Sequence, residues 1–405
     1  MAEVELQLDG ETVATLDSPP WVAPLDLGPS LAPHELVARA LDEKGGELAR
    51  ARQWINMPRP PAEAKILLER DASGRVKAAS IAWQNLLGEA PSSIAVSFDG
   101  RPIAVDALRR VVIPAYAPDV SHILTVELEF ESGMSSRDDL AIGGAAGEEA
   151  RSELTAVPVR RPARGKLEPR AFDGMLRAGG KPLRVATVEE GGAAIWIVRD
   201  ESALEAYRKL RASGGDTVGR LFTSGTLPLK KEDSVHFLWP RPRGVAGAGV
   251  PTALFPSSQE FTRKDGGLAF LLEHIANTEP AGLFPMYADA VAVAGLNAFE
   301  SFGRRAVLLV LGEPTPDLST YKPPVVRRYL ELLRVPLFVW SLDAEPPPGS
   351  PWGPVEAVGT SRGMRAAYER LRSTLDAQAI AWVEGRLLPQ EIEVRPAAAG
   401  IEPVR

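Results

Sequence analysis

The stretch from Arg304 to Leu342, RRAVLLVLGEPTPDLSTYKPPVVRRYLELLRVPLFVWSL, limits what this chain can fold into more than any other. Two aliphatic runs of strand length flank a segment whose apolar residues recur at Val325, Val326, Tyr329, Leu330 and Leu333, the spacing of one helix face. Strands that are apolar without alternation are buried on both faces. The stretch therefore reads as a βαβ unit of a parallel sheet with helices on both sides.

A length of 405 residues predicts two or three domains. The formal net charge of −7 gives no electrostatic footprint for nucleic acid or an anionic membrane. No run of 18 apolar residues is present, which excludes a spanning helix by hydropathy. There is no cysteine, so disulfides, thiolate metal sites and cysteine nucleophiles are excluded together. The four histidines, His34, His122, His236 and His274, lie more than a helical turn from one another, a poor supply for a zinc site or a histidine base.

The first 160 residues read as all-β, with short alternating runs between turn signals such as Asp9-Gly10, Lys44-Gly45, Ser73-Gly74 and Asp99-Gly100. They contain an internal repeat. Val4–Leu16 followed by Pro33–Gly45 parallels Ser93–Val105 followed by Ser121–Gly133: a strand enters an Asp-Gly turn, a second leaves it, and a strand opening near a histidine follows. Two tandem sandwich-like modules are expected. The second copy has two further strand candidates upstream, Lys65–Asp71 and Lys77–Asn85, with Trp83 as a core aromatic. The first lacks them, which predicts an incomplete module over 1–59, from a truncated or re-started N-terminus, beside a whole one over 60–160. The open edge of the first is a candidate for strand exchange.

Arg160–Arg170, basic and proline-containing, reads as part of a linker over 161–180, with Ser152–Val159 closing the second module. Beyond it strands and helices alternate: strand Ala193–Val198, helix Glu201–Ala212, strand Ser234–Trp239, helices Gly266–Ala276 and Met286–Phe299, the organising βαβ, a helix near Arg362–Leu375 and a last strand Ala379–Gly385. This predicts a doubly wound, Rossmann-like α/β domain over 181–390 and a tail over 391–405.

The succession IWIVRDES, MYADAVAVAGL, RRAVLLVLGE and VPLFVWSL resembles the von Willebrand factor type A fold, and in particular the VWFA-related proteins of acidobacterial type. Those set such a domain beside immunoglobulin-like modules. The resemblance implies a metal-ion-dependent adhesion site (MIDAS) at the C-terminal edge of the sheet, built from Asp-x-Ser-x-Ser, a threonine before the long helix and an aspartate after the next strand. Mg²⁺ there needs hard oxygen ligands and leaves one position for a partner's acidic group. Here the first motif keeps Asp200 and Ser202 but has Leu204, the Gly-Thr position is Leu283-Phe284, and the Thr-Asp-Gly position is Val310-Leu311-Gly312. Three of five ligand positions are apolar, so the site reads as degenerate. Asp200 and Ser202 are then expected to cap the following helix. Glu313 and Asp317, in the loop after Leu311, are the residues that could restore a carboxylate.

Two further patterns carry chemistry. Gly359-Thr-Ser-Arg-Gly363 matches the nucleophile-elbow spacing, but every histidine precedes Ser361, and such hydrolases need one after it. Ser361 is therefore expected as a helix N-cap. Trp239–Gly244 brings Arg241 and Arg243 onto a Pro/Arg loop, readable as a plain loop or a partner contact, and Gly244–Gly249 lacks the pattern of a phosphate loop. Together these predict a non-enzymatic interaction or adhesion scaffold without cofactor. Its partner protein would meet Asp200, Glu201, Ser202, Glu313, Asp317, Arg241 and Arg243. Alternatives are a structural subunit of an envelope assembly and a serine hydrolase through Ser361. The resemblance implies an extracytoplasmic location, although MAEVELQLDG has neither the basic nor the apolar region of an export signal.

Overall fold

A computed structural model describes residues 3–57, 62–71, 75–85, 89–98, 101–118, 122–131, 135–142, 150–151, 154–161, 167, 169–213, 223, 225–245, 252–277, 284–301, 303–312, 316–343, 349–385, 387–395 and 401–404. The chain divides into two compact units, one of residues 59–154 with 384–386 and one of everything else.

Residues 3–55 form a four-stranded antiparallel sheet. Its strands are β1 (Glu3–Leu8), β2 (Glu11–Leu16), β3 (His34–Leu41) and β4 (Glu47–Ile55), in the order β2-β1-β3-β4. The β1–β2 hairpin turns at Asp9 (φ 52°) and Gly10 (φ 85°), the left-handed pair that an Asp-Gly turn supplies. Asp9 also fixes the start of β3: its carboxylate accepts from the Glu35 amide at 2.8 Å and meets His34 Nδ1 at 2.7 Å.

The second unit is a sandwich of two antiparallel sheets. Its strands are β5 (Ala62–Arg70), β6 (Val76–Asn85), β7 (Ser93–Phe98), β8 (Arg101–Pro102), β9 (Arg110–Val112), β10 (His122–Glu129), β11 (Ser135–Ile142) and β12 (Ala150–Arg151). One sheet runs β5-β6-β9 and the other β12-β11-β10-β7-β8. Ile66, Ile81, Val96, Phe98, Leu124, Val126 and Leu128 fill the space between them, with Trp83 partly buried against that core. The repeat is kept in register. Leu8 pairs with Leu36 and Leu6 with Ala38 in the first sheet, as Phe98 pairs with Leu124 and Val96 with Val126 in the second. The Asp99-Gly100 and Ser73-Gly74 turns lie outside the described residues.

The α/β body comprises β17 (Ala193–Arg199), α1 (Glu201–Ser213), β18 (Ser234–Leu238), β21 (Phe261–Thr262), α2 (Leu268–His274), α3 (Tyr287–Glu300), β22 (Arg304–Leu311), α4 (Pro323–Leu332), β23 (Leu337–Ser341), β24 (Glu356–Ala357) and α5 (Ser361–Ala377). The sheet order is β21-β18-β17-β22-β23-β24, parallel except for β21. Counted in chain order this is 3-2-1-4-5-6, the doubly wound arrangement, and it reverses between β17 and β22. Residues of α1, α2 and α5 pack on one face of the sheet and residues of α3 and α4 on the other. The short hairpin β19 (Arg243–Val245) with β20 (Thr252–Leu254) stands apart from the sheet. The mixed β and α/β class expected from the sequence is the class observed.

Four expectations are corrected. Ser152–Val159 does not close the second module: β13 (Leu154–Arg160) belongs to a sheet of order β16-β25-β13-β27, with β16 (Val185–Glu189), β25 (Gln378–Glu384) and β27 (Glu402–Pro403). The expected last strand of the α/β sheet, β25, therefore lies in this antiparallel sheet. The segment 161–180 does not act only as a linker. Although 162–166 and 168 lie outside the described residues, Phe172, Met175 and Leu176 are buried with Val157, Ala381 and Ile392. There β14 (Leu176–Ala178) pairs with β15 (Lys181–Pro182) and with β26 (Ile392–Val394). The supposed tail is likewise docked, with Ile401 and Val404 buried and β27 pairing β13. Apolar area hidden in these positions outweighs their proline- and glycine-rich surroundings.

Three arginines close the helices from below. The last carbonyls of a helix have no intrahelical donor and carry partial negative charge. Arg199 donates to the carbonyls of Leu272 and Ile275 at the end of α2. Arg305 donates to Phe299 O at 3.0 Å within the last turn of α3 and to Leu333 O at 3.3 Å just after α4, and Arg304 to Leu375 O at 3.2 Å within the last turn of α5. Among the described residues no carboxylate pairs with Arg199 or Arg305. Burial pushes the guanidinium of Arg199 down to about 10 and that of Arg305 down to about 9. Arg305→Ala should remove the guanidinium donors from two buried helix ends, leaving Phe299 O only the Ser301 amide. We expect a loss of roughly 3 kcal/mol, read as a lower urea midpoint with an unchanged slope.

Candidate functional site

Open α/β sheets bind ligands outside the carboxyl ends of their strands where the strand order reverses. Here that point lies between the ends of β17 and β22, at Asp200 and Gly312. Asp200 is 1% exposed and serves as the N-cap of α1. Its Oδ1 accepts from Ser202 Oγ at 2.6 Å and from the Ala203 amide at 3.3 Å, so the capping expected of it is what it does.

The other side of Asp200 faces a cation from the same chain. Arg241, just beyond β18, places Nη2 3.5 Å from Asp200 Oδ2 and Nε 3.5 Å from Glu201 Oε2. Its side chain is 22% exposed, with Nε itself buried. Gly312 closes the third side. A Cβ there would overlap Ser202 Oγ and the Ala203 amide nitrogen, so only glycine allows β22 to end against the first turn of α1.

The residues present do not fit a divalent cation. Ser202 Oγ is bound to the carboxylate it would have to share with the metal, and a guanidinium sits where the metal's charge would be. Among the described residues no three His, Asp or Glu side chains gather as a metal site requires. Glu313 and Leu283 lie outside the described residues.

Asp317 is engaged elsewhere. Its Oδ1 accepts from the Tyr287 amide at 3.0 Å and from Ser319 Oγ at 2.6 Å, while Ser319 Oγ accepts from the Ala288 amide at 2.8 Å. These two residues cap α3 across the fold, because Met286 at its own N-cap position offers no side-chain acceptor. Asp289 reciprocates by accepting from the Thr320 and Tyr321 amides. The structure thus brings together Asp200, Glu201, Ser202 and Arg241, and gives Asp317 to the first turn of α3. Arg243 pairs through its backbone with Leu254 in the β19–β20 hairpin.

Ser361 is corrected from N-cap to first helical residue. Thr360 caps α5 with its hydroxyl, accepting from the Gly363 amide at 3.0 Å, and Ser361 Oγ is buried without a hydrogen-bond partner. The second glycine of the motif serves packing, since a Cβ at Gly363 would meet the Ala357 carbonyl.

One arrangement escaped the reading of the sequence. Trp196 on β17 and His236 on β18 are directly opposite in the parallel register, and their rings stack with centroids 4.6 Å apart and planes 13° from parallel. They line a cleft of about 630 Å³. The available signal is a histidine inside the otherwise apolar run SVHFLW.

No family model matches the chain, and no curated protein does. Among solved structures, the central fibronectin-III array of RIM-binding protein is similar at 13% identity over 44% of this chain and 71% of its own, with a TM-score of 0.22. A likeness at that level bears neither on fold nor on function. The chain is thus defined by class: it holds a doubly wound α/β body whose crevice carries an internal ion cluster, and antiparallel β sheets elsewhere in its length.

Gly312→Ala should strain the crevice without touching its charges. We expect a loss of roughly 2 kcal/mol, measured by thermal unfolding, because backbone at Ala203 cannot move aside as a side chain could.

Proposed function

We propose that this chain is a non-enzymatic protein-interaction scaffold of von Willebrand factor A type, working without metal and outside the cytoplasm. One observation carries the reading: Arg241 is held by Asp200 and Glu201 at the point where the strand order reverses. In a metal-bearing site of that type the divalent ion offers a positive charge to a partner's acidic side chain. Here the guanidinium offers it, with donors in a planar fork suited to a carboxylate. The 3-2-1-4-5-6 order and the helices on both faces support the type A reading. Titration of Mg²⁺ or Mn²⁺ into the protein should give no saturable heat, and Asp200→Ala should behave as the wild type. Saturable binding lost in the variant would overturn the reading.

A second reading, assembly by strand or hairpin donation into the first β module, is favoured by the repeat. Val96, Phe98, Leu124 and Val126 are buried beneath the β5-β6-β9 sheet. Their register equivalents Leu6, Leu8, Leu36 and Ala38 are only half-buried, and the described residues of that module form a single sheet. Light scattering should then report a mass above one chain that falls to one chain on Leu6→Asp. A strictly monomeric wild type would rule it out.

A further inference from the structure

The Trp196–His236 cleft lies at the N-terminal ends of β17 and β18, the opposite end of the sheet from Asp200. It exists because α3 packs across β17 and β22 and leaves the neighbouring surface of β18 uncovered. The stacked rings give the cleft an apolar wall of the kind that covers an alkyl stem. Around them stand four glutamates, of which Glu260 reaches from the loop before β21 and Glu300 from the last turn of α3. No lysine or arginine lines the cleft among the described residues.

The groups facing these rings set the sign of the site. His236 approaches Glu260, Nε2 to Oε2 at 3.8 Å. Burial nevertheless keeps the imidazole below its ordinary range, so at neutral pH it brings no positive charge of its own. Glu189 already accepts from Trp382 Nε1 at 3.1 Å. The Glu300 side chain is exposed at the rim, where partial desolvation against the end of α3 raises its carboxyl above its ordinary range. An aromatic wall, uncompensated carboxylates and a concave surface suit a cation on an aliphatic chain, which gains from ring contact and charge together.

We propose that this cleft is a second binding site, taking an alkylguanidinium or alkylammonium group. Such a group could be the arginine or lysine side chain of a partner, or a free polyamine.

The test is calorimetry on the full chain at low ionic strength. Three probes are used: a short arginine-containing peptide, the same peptide with citrulline in place of arginine, and spermidine. Saturable binding of the arginine peptide or of spermidine is expected. The affinity should be about tenfold weaker for the citrulline peptide or, where spermidine is the ligand, on raising the salt. Glu260→Gln with Glu300→Gln should weaken the cationic probe about tenfold, with the unfolding temperature unchanged because both carboxylates stand at the rim. Trp196→Leu should weaken it further. A preference for the peptide assigns a partner's side chain, and a preference for spermidine assigns a free polyamine. The proposal is overturned if neither cation binds saturably, if citrulline binds as well as arginine, or if the double glutamine variant binds like the wild type. Arg241→Ala leaves this binding unchanged, which separates the cleft from the crevice.

Discussion

Helix C-termini that end inside a protein must find donors, and this α/β body finds them in arginines placed on its own strands. Arg199 ends β17, and Arg304 and Arg305 begin β22, the two strands between which the sheet order reverses. From there their guanidinium groups reach the carbonyls of α2, α3, α4 and α5. The strands thereby position the helices by hydrogen bonds as well as by apolar packing. Because these bonds replace water at buried carbonyls, a charge with a lowered proton affinity is tolerated where an unpaired charge would otherwise be excluded.

The same economy of charge shapes the crevice. Asp200 is nearly inaccessible, and a buried carboxylate needs compensation. It receives the first turn of α1, the Ser202 hydroxyl and the guanidinium of Arg241. A loop arginine and a glycine with no room for a methyl group hold the crevice by charge and by close packing.

Much of the architecture is legible in the amino-acid sequence where one residue pattern has one physical meaning. β22 and β23 are continuous apolar runs because both faces are covered, and α4 shows its stripe because only one face is. The repeat is legible because an Asp-Gly turn and a following histidine fix a register. Pairings between distant segments are not legible. An alternating strand shows which face is buried but names no partner, so β13 and β25 look like the ends of neighbouring domains when they lie side by side. Phe172, Met175 and Leu176 are hidden among prolines and charges. At the crevice, Asp200 as a cap is legible from its place before a helix. Arg241 is not, because a Pro-Arg loop carries no periodicity to say where its side chain turns. Thr360 and Ser361 are adjacent hydroxyls, and backbone geometry alone chooses between them.

The α/β body is inserted between β16 and β25, and these two strands are antiparallel neighbours, with Glu189 opposite Ile380. Its entry and exit therefore lie side by side on one sheet. The flanking chain enters β16 and leaves β25 at the other end of the same ladder, at Val185 opposite Val383, so a pull along the chain would meet that ladder and open it rung by rung before it reached the parallel sheet. The crevice and the cleft, at the two ends of that sheet, both lie behind this ladder as seen from the chain on either side.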